Sequence, residues 1–474
     1  MKPVHDKVFA ESDNYFILLE GVILNSLELI NKYSENGSFF ETIILMFRKY
    51  GNDFFGKFRG SFSGMLYDKK NNKKIIFTNH IGDKQVFFSK VGKTLIFGSE
   101  VNYIVDYYNR NNIDYTLNKE AAYQILTYGY LLEDNTLFNE IKKLVAGHYI
   151  LIENDKMSIV QYYKVENTSF NNHSEKEIIE NVDFLFRQAV KRAFDKDREY
   201  GYKHLVGLSG GLDSRMTTWV ANDMGYGEDI VNFTFSQSNY LDEIIAKEIA
   251  SDLRHEWIFK SLDNGLFLKD IENTVRISFG GVLYYGLAHG KSFLDLINFC
   301  DFGIVHSGQV GGILKGYYNK NDTLKRGGNY SNILLEKVDY SKLREYNNEG
   351  EFQLYNRQFN GTLQGNLPIQ ENTETVSPFL DIDFVNYCLK IPEKYEENDL
   401  FIKWMIMKYP KSTKYIWETT GGKVTDKKIN IFGRQVLLKK LPKKAINFLL
   451  RRMGILKNTT ATKKHMNPLN YWYL

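Results

Sequence analysis

Hydrophobic and polar positions give the chain two rhythms. Up to about residue 165, β-branched and aromatic residues gather in short runs at 15–19, 62–67, 74–78, 85–88 and 94–97. Asn-, Gly- and Lys-rich turns such as Lys69-Lys70-Asn71-Asn72 separate them, so the runs read as strands. Helices are expected at 27–32 and 41–50, which makes this half an α+β layer arrangement. Residues 166–174 are polar and aperiodic and mark a domain boundary. Ser174 and Glu177 form a capping-box pattern, after which Ile178, Val182, Leu185, Phe186 and Ala189 recur at helical spacing. Apolar runs at 204–208, 230–235 and 302–306 then alternate with helical stretches, one opening near Leu241. Strands alternating with helices predict a parallel sheet covered on both faces, with ligands at the carboxyl ends of its strands. Ser209 and Ser307 each follow such a strand directly, so both can line one crevice.

Composition narrows the class. A chain of 474 residues holds two or three domains, and 43% apolar content is that of a globular protein. The net charge of +4 is too mild to imply nucleic acid, and none is expected as a partner. Cys300 and Cys388 are the two cysteines; they give neither a metal-finger spacing nor a disulfide framework, and core packing explains both. The N-terminus lacks a signal-peptide core and no apolar run is long enough to span a bilayer, so a reducing cytoplasm is expected. From Gly433 to Lys457 eight Lys and Arg residues interleave with apolar ones and no acid occurs. An amphipathic helix packed on the preceding domain is one reading and peripheral contact with an anionic membrane the other, which Pro442 weakens.

The strand at 204–208 runs into Ser209-Gly210-Gly211-Leu212-Asp213-Ser214, and Met216, Trp219 and Val220 then mark the apolar face of a helix. A Gly-rich turn there exposes backbone N–H groups at the positive end of the helix, which suits phosphate. Adjacent glycines let the backbone approach the anion with no Cβ in the way. Ser209 and Ser214 add hydroxyl donors, and Asp213 offers a carboxylate to the magnesium that accompanies a nucleotide. The Walker-type Gly-Lys-Ser/Thr ending is absent. An ordinary strand-to-helix turn is the plainer alternative, but the hexapeptide resembles the PP-loop of the ATP pyrophosphatases, which cleave ATP between the α- and β-phosphates.

Further segments resemble the asparagine synthetase family in order and spacing, up to about Lys423. They are Gly60-Ser61-Phe62-Ser63-Gly64-Met65-Leu66-Tyr67-Asp68, Asn79-His80-Ile81-Gly82-Asp83-Lys84-Gln85-Val86-Phe87-Phe88, Gly98-Ser99-Glu100-Val101 and Ile141-Lys142-Lys143-Leu144-Val145-Ala146-Gly147-His148. Thr234-Phe235-Ser236 with Asp242-Glu243, Ser307-Gly308-Gln309-Val310-Gly311-Gly312, and Pro378-Phe379-Leu380-Asp381 with Leu389-Lys390-Ile391-Pro392 complete the set. The resemblance implies an α+β Ntn-hydrolase-like domain at 1–165 and an α/β PP-loop domain of the adenine nucleotide α-hydrolase type, with a parallel sheet, at 175–430. A basic, aromatic-ended extension fills 431–474. It implies ATP and Mg2+ as cofactors, with ATP contacts from Leu208, Ser209, Gly210, Gly211, Asp213, Ser214, Phe235, Gln237, Ser307 and Gly308. Asp213 would also hold the metal. Lys423 would be the catalytic cation on the developing pentacoordinate phosphorus, twenty residues after Lys403 as in the family. The plainer reading of Lys423 is a solvated loop lysine, and Lys427 and Lys428 are nearby substitutes.

The family pattern is broken at three motifs. Its nucleophilic cysteine at position 2 is Lys2 here, and no cysteine precedes Cys300. Its glutamine-binding Asn-Gly-Glu-Ile-Tyr-Asn reads Glu20-Gly21-Val22-Ile23-Leu24-Asn25. A degenerate, glutaminase-deficient domain is therefore expected, serving as structure or as a recognition platform. The family turn Ser-Gly-Glu-Gly-Ala-Asp-Glu ends here in Gly311-Gly312-Ile313, so the second magnesium carboxylate is missing at Gly312; Asp242, Glu243 and Asp301 are the candidates to compensate. The family's glutamate in that turn is Gln309. Arg215 is read as a salt-bridging residue on the helix surface rather than as a stand-in for metal charge.

The leading expectation is an ATP-dependent amide-forming ligase that adenylates a carboxylate, releases pyrophosphate and then AMP, and takes nitrogen from ammonia or an amine. The carboxylate would belong to a small molecule, a glycan or a peptide; a uronic acid of a surface polysaccharide is one candidate and a peptide closing into a lactam or macrolactam another. The competing class is a catalytically silent binding or regulatory protein that keeps the fold. A tRNA thiolase would need cysteines to carry sulfur. Homo-oligomerisation stays open.

Overall fold

The computed structural model describes residues 7–34, 37–319, 322–325, 330–395, 399–431 and 434–437. Of the basic segment and aromatic tail, all but Arg434–Leu437 lies outside the described residues.

The N-terminal strands are β1 (Val8–Glu11), β2 (Tyr15–Ile23), β3 (Gly60–Asp68), β4 (Lys73–Thr78), β5 (Phe87–Val91), β6 (Thr94–Gly98), β7 (Lys142–Lys143), β8 (His148–Glu153) and β9 (Lys156–Gln161). They pair antiparallel in two sheets, ordered β1-β2-β3-β4-β8-β9 and β6-β5-β7. Successive strand side chains point to opposite faces, and the alternation builds the layers. Ile75 joins Ile17, Phe62 and Phe77 against Leu29 of α1 (Ser26–Tyr33) and Ile43 and Met46 of α2 (Phe39–Tyr50). Its neighbour Ile76 turns the other way, with Ile150, onto Phe88 of the smaller sheet. Phe87, beside Phe88, packs outward on Val101, Ile104 and Tyr108 of α3 (Val101–Arg110). The result is a helix–sheet–sheet–helix stack. The strand expected at 85–88 starts instead at Phe87. The residues before it form a turn in which the Thr78 hydroxyl donates to Lys84 O (2.6 Å) and Asn79 Nδ2 to Asp83 Oδ1 (2.5 Å).

α4 (Lys119–Tyr128) precedes β7, and after β9 an irregular crossing leads to α5 (Glu175–Glu199), which opens on the Ser174–Glu177 capping box. Then come β10 (Lys203–Gly207), α6 (Leu212–Asp223), β11 (Ile230–Ser236), α7 (Leu241–Leu253), β12 (Glu256–Ser261), α8 (Ile271–Ser278), α9 (Tyr285–Leu294), β13 (Phe302–His306) and β14 (Thr375–Val376). The strands form one parallel sheet, ordered β12-β11-β10-β13-β14. Both faces are covered. Val206 packs with Phe186 of α5, Met216 of α6 and Ile249 of α7, while Leu205 packs with Val231, Val305 and Phe293 of α9. The sequence pattern omits β12, whose edge position leaves it half-exposed and therefore without a strong apolar run.

The two regions meet across an ionic seam. Arg59 forks onto Asp383, with Nε at 3.1 Å and Nη2 at 2.8 Å, and Arg192 of α5 bonds the same carboxylate at 2.8 Å. Lys84 pairs with Glu374 at 2.9 Å, and both side chains are buried. Val22 packs directly on Ile304 of β13. No described helix is long and apolar enough to cross a membrane.

Candidate functional site

β10 and β13 are neighbours, with Val206 beside His306, so the turns that follow them open side by side. They border a cleft of about 490 Å³ at the carboxyl ends of the parallel strands. Its interior is apolar, lined by Phe233, Phe235, Leu287, Leu294, Val305 and Ile369. Its polar rim holds Ser209, Ser214, Asp242, Ser307, Gly308 and Gln309. The volume suits a nucleoside-sized ligand, and the division of apolar interior from polar rim suits a base and its phosphates. His289 stands inside the cleft against Phe235, ring centroids 5.0 Å apart, with Nδ1 against Tyr285 O at 3.1 Å. Burial pushes its pKa down to about 4, so the ring is neutral at pH 7.

The glycine-rich turn is a closed hydrogen-bonded knot. Ser209 N donates to Ser214 Oγ (3.0 Å), Gly211 N to Ser209 Oγ (3.2 Å), and Gly210 N to Asp242 Oδ1 (2.7 Å). Burial lifts the Asp242 carboxyl to about 6. The two turns touch without side chains between them. A Cβ on Gly308 would fall 2.3 Å from Ser214 N, and one on Gly311 would fall 2.3 Å from Asp213 Cγ. Only glycine permits these approaches.

Of the expected nucleotide contacts, Leu208, Ser209, Ser214, Phe235, Ser307 and Gly308 line the cleft. Gly210 and Gly211 complete the turn beside it. Gln237 does not reach it; its amide donates to Leu262 O at 2.8 Å and is buried there. Asp213, expected to carry magnesium, is instead ion-paired: Lys315 Nζ lies 2.6 Å from its Oδ1, and the lysine side chain is only 12% exposed. Magnesium needs free carboxylate oxygens in near-octahedral array. One carboxylate, already paired with an ammonium, fits it poorly, and position 312 offers no second. Among the candidates to compensate, Asp242 holds Gly210, Glu243 accepts from Asn239 N (2.5 Å), and Asp301 sits at the opposite end of β13.

Lys423 lies on a hairpin docked over the turn. Its strands, β15 (Ile416–Trp417) and β16 (Gly422–Lys423), pair antiparallel with Ile416 beside Lys423. Glu418 N donates to Gly210 O at 3.2 Å. The Lys423 side chain is exposed, its backbone N–H donating to Asp426 Oδ2 at 2.8 Å. Lys403 pairs with Glu175 at 2.5 Å and is spent on α5.

Arg215 corrects the surface reading. It is fully buried, and no acid among the described residues forms an ion pair with it. Its Nη2 donates to Ile416 O (2.6 Å) and Gly210 O (3.2 Å), and Nη1 to Ser412 O (3.4 Å). Three carbonyls converging on one guanidinium rivet the hairpin to the turn, and burial lowers its pKa to about 10. Cys300 is also corrected: it is exposed, and only Cys388 is buried. The sequence reading missed a buried cluster in which Asp197 Oδ2 lies 2.8 Å from His204 Nδ1 and 2.6 Å from His306 Nε2, while its Oδ1 accepts from Ile304 N at 2.7 Å. These three residues could in principle hold a metal. The ring nitrogens nearest Asp197 are already spent on it, so the cluster acts as a polar rivet between α5, β10 and β13. No spacing in the sequence announces it, since the three residues come from separate elements.

Residues 4–163 match the family described as a glutamine amidotransferase domain. The chain is 26% identical over 271 residues to a putative glutamine-hydrolysing asparagine synthetase of Methanocaldococcus jannaschii, covering 54% of this chain and 52% of that protein. It is 24% identical over 272 residues to a glutamine-hydrolysing asparagine synthetase of Bacillus subtilis, covering 56% and 42%. The chain thus spans about half the length of the curated relatives it matches. Among solved structures, an NH3-dependent NAD synthetase from Campylobacter jejuni aligns with a TM-score of 0.22 at 20% identity, covering 31% of this chain and 61% of that one.

Proposed function

We propose that this asparagine synthetase-like chain is an ATP-dependent carbon–nitrogen ligase that adenylates a carboxylate and does not hydrolyse glutamine. The observation that carries the reading is the shared cleft: two glycine turns, from adjacent parallel strands, rim an apolar chamber of nucleoside size. The base would occupy the chamber beside Phe235 and His289. The phosphates would lie over Ser209, Ser214, Ser307 and the Gly308 backbone. A carboxylate oxygen of the acyl substrate attacks the α-phosphorus, the bond from phosphorus to the β-bridging oxygen breaks, and pyrophosphate leaves. An amine or ammonia then attacks the acyl carbon; its bond to the AMP oxygen breaks, and the nitrogen gives up a proton. Lys423, carried on the docked hairpin, supplies positive charge to the phosphoryl oxygens.

Loss of glutamine hydrolysis is supported by Val22, which stands where the family binds glutamine and is buried against Ile304 of the other region. The amidotransferase-like region also holds no cysteine to act as nucleophile, Cys300 being the first in the sequence. The nitrogen source is then free ammonia or an amine on a substrate, and a uronic acid or a peptide carboxylate is the acyl partner to screen. The test is ATP turnover in the presence of hydroxylamine and a panel of uronic acids, amino acids and peptides. AMP and pyrophosphate appearing in equal amounts with one carboxylate class supports the ligase; glutamate release from glutamine would overturn the glutaminase-deficient part. A second reading, a nucleotide-binding protein without turnover, is favoured by the Lys315–Asp213 pair, and predicts ATP binding with no AMP from any carboxylate.

A further inference from the structure

We infer that Lys143 and Gln364 hold a monovalent anion of halide size in the seam between the antiparallel and parallel regions. Lys143 lies on β7 and is only 6% exposed. An ammonium carries three N–H donors, and this one spends a single donor, on Asn360 Oδ1 at 2.6 Å. Asn360 keeps its oxygen toward the lysine because its Nδ2 donates to Glu133 O at 2.9 Å. No acid among the described residues forms an ion pair with Lys143. Asp134 pairs with Lys142, and the Glu133 carboxylate accepts from Arg344 N and the Tyr346 hydroxyl. Burial alone pushes the Lys143 pKa down to about 8, so the group is charged at pH 7 with no counter-ion from the chain. A buried charge without a partner is strongly unfavourable, and an anion taken from solution removes that penalty.

The space for it is present. Lys143 and Gln364 both line a cavity of about 30 Å³, most of whose wall is apolar, from side chains such as Phe87, Leu131, Leu137 and Phe279. Gln364 is also only 6% exposed, and its carboxamide makes no hydrogen bond among the described residues. Its N–H donors are therefore free to join the ammonium around one ion. A water needs about 10–15 Å³ of such space, so the cavity admits one or two small atoms and excludes a phosphate or a dicarboxylate. The apolar wall offers nothing to a second charge.

One segment carries the site to the nucleotide-sized cleft. Asn360 and Gln364 face the seam, while Gly361, Thr362, Gly365 and Asn366 line the cleft. The backbone makes wide π turns over Gln353–Gly361 and tight 3-10 turns over Thr362–Asn366, so the change of pitch falls between the two seam residues. Such a change marks a hinge, and an anion bound to both of its sides steadies the cleft wall. This coupling, unlike the anion site itself, rests on the nucleotide reading above.

The test is thermal melting of the full chain as chloride replaces gluconate at constant ionic strength, gluconate being too large for the cavity. The wild type is expected to melt about 2 °C or more higher in chloride, saturably, and to broaden the chloride NMR line. Lys143→Met is expected to abolish both responses. Gln364→Leu, which keeps the ammonium, is expected to weaken chloride binding roughly tenfold. Equal wild-type melting in the two salts without line broadening, or responses that survive Lys143→Met, overturns the inference. Should Lys143→Met fail to fold, the wild type and Gln364→Leu decide it. Titration with ATP in each salt tests the coupling. Affinity severalfold higher in chloride supports it, and equal affinity overturns it while leaving the anion site standing. No ATP binding in either salt overturns the nucleotide reading and the coupling together, and melting and line width still decide the anion site.

Discussion

Two of the molecule's clefts differ in size and in what closes them. At the carboxyl ends of the parallel strands about 490 Å³ stays open, with serines and glycines at its rim. Between the two regions, with Ser99 and Glu100 on one side and Arg276 and Glu371 on the other, a second pocket amounts to about 110 Å³, and Arg276 and Glu371 pair along its wall at 3.3 Å. The antiparallel region has its own core and grips its neighbour. Lys84, from the turn before β5, pairs with Glu374 immediately before β14. Val305 N bonds Glu374 O and Ser307 N bonds Val376 O, each at 2.9 Å. The antiparallel half therefore braces the strand that presents Ser307.

Four perturbations break or sharpen that contrast. Arg215→Met strips three carbonyls, two of them buried, of their donor and should cost about 4 kcal/mol, read as a shift in urea midpoint, with ATP binding lost alongside. Lys84→Met leaves Glu374 buried and unpaired, at about 3 kcal/mol, and should weaken ATP binding as well; Lys84→Met with Glu374→Leu should recover most of the stability. If the single variant left ATP affinity untouched, the bracing role would be gone. Lys423→Ala should lower AMP release roughly hundredfold, about 2.7 kcal/mol in the barrier, without moving the melting temperature, because the side chain is exposed. His289→Phe should act least and only in acid. The fold lowers the His289 pKa to about 4, so its stabilisation is complete above about pH 6.5 and is lost as pH falls toward 4. Urea midpoints against pH should therefore decline less steeply in the variant across that window.

Much of this was legible in the sequence. Strand–turn–helix around Ser209 and strand–turn at Ser307 are local patterns, and parallel pairing at once makes them neighbours. The long-range pairs were not. Lys315 and Asp213 lie in separate turns, and an unaligned lysine carries no sign of its partner. Arg215 looks like any helix arginine until the hairpin at 416 arrives to cap it. The glutamine at 237 ends its strand as expected, but its side chain turns toward Leu262, a choice set by a neighbouring strand the apolar pattern had not announced. Periodicity reports which face is buried and says nothing of which charges meet there.

The arginine rivet also fixes an order of events during synthesis. Gly210 and Ile416, joined through Arg215 Nη2, are far apart in the chain, the second bond spanning 201 residues. At ribosomal rates of about 5–20 residues per second, the turn waits roughly 10–40 s for its cap to emerge. A nascent chain thus holds an uncapped guanidinium on α6 until nearly all of the described chain has been made.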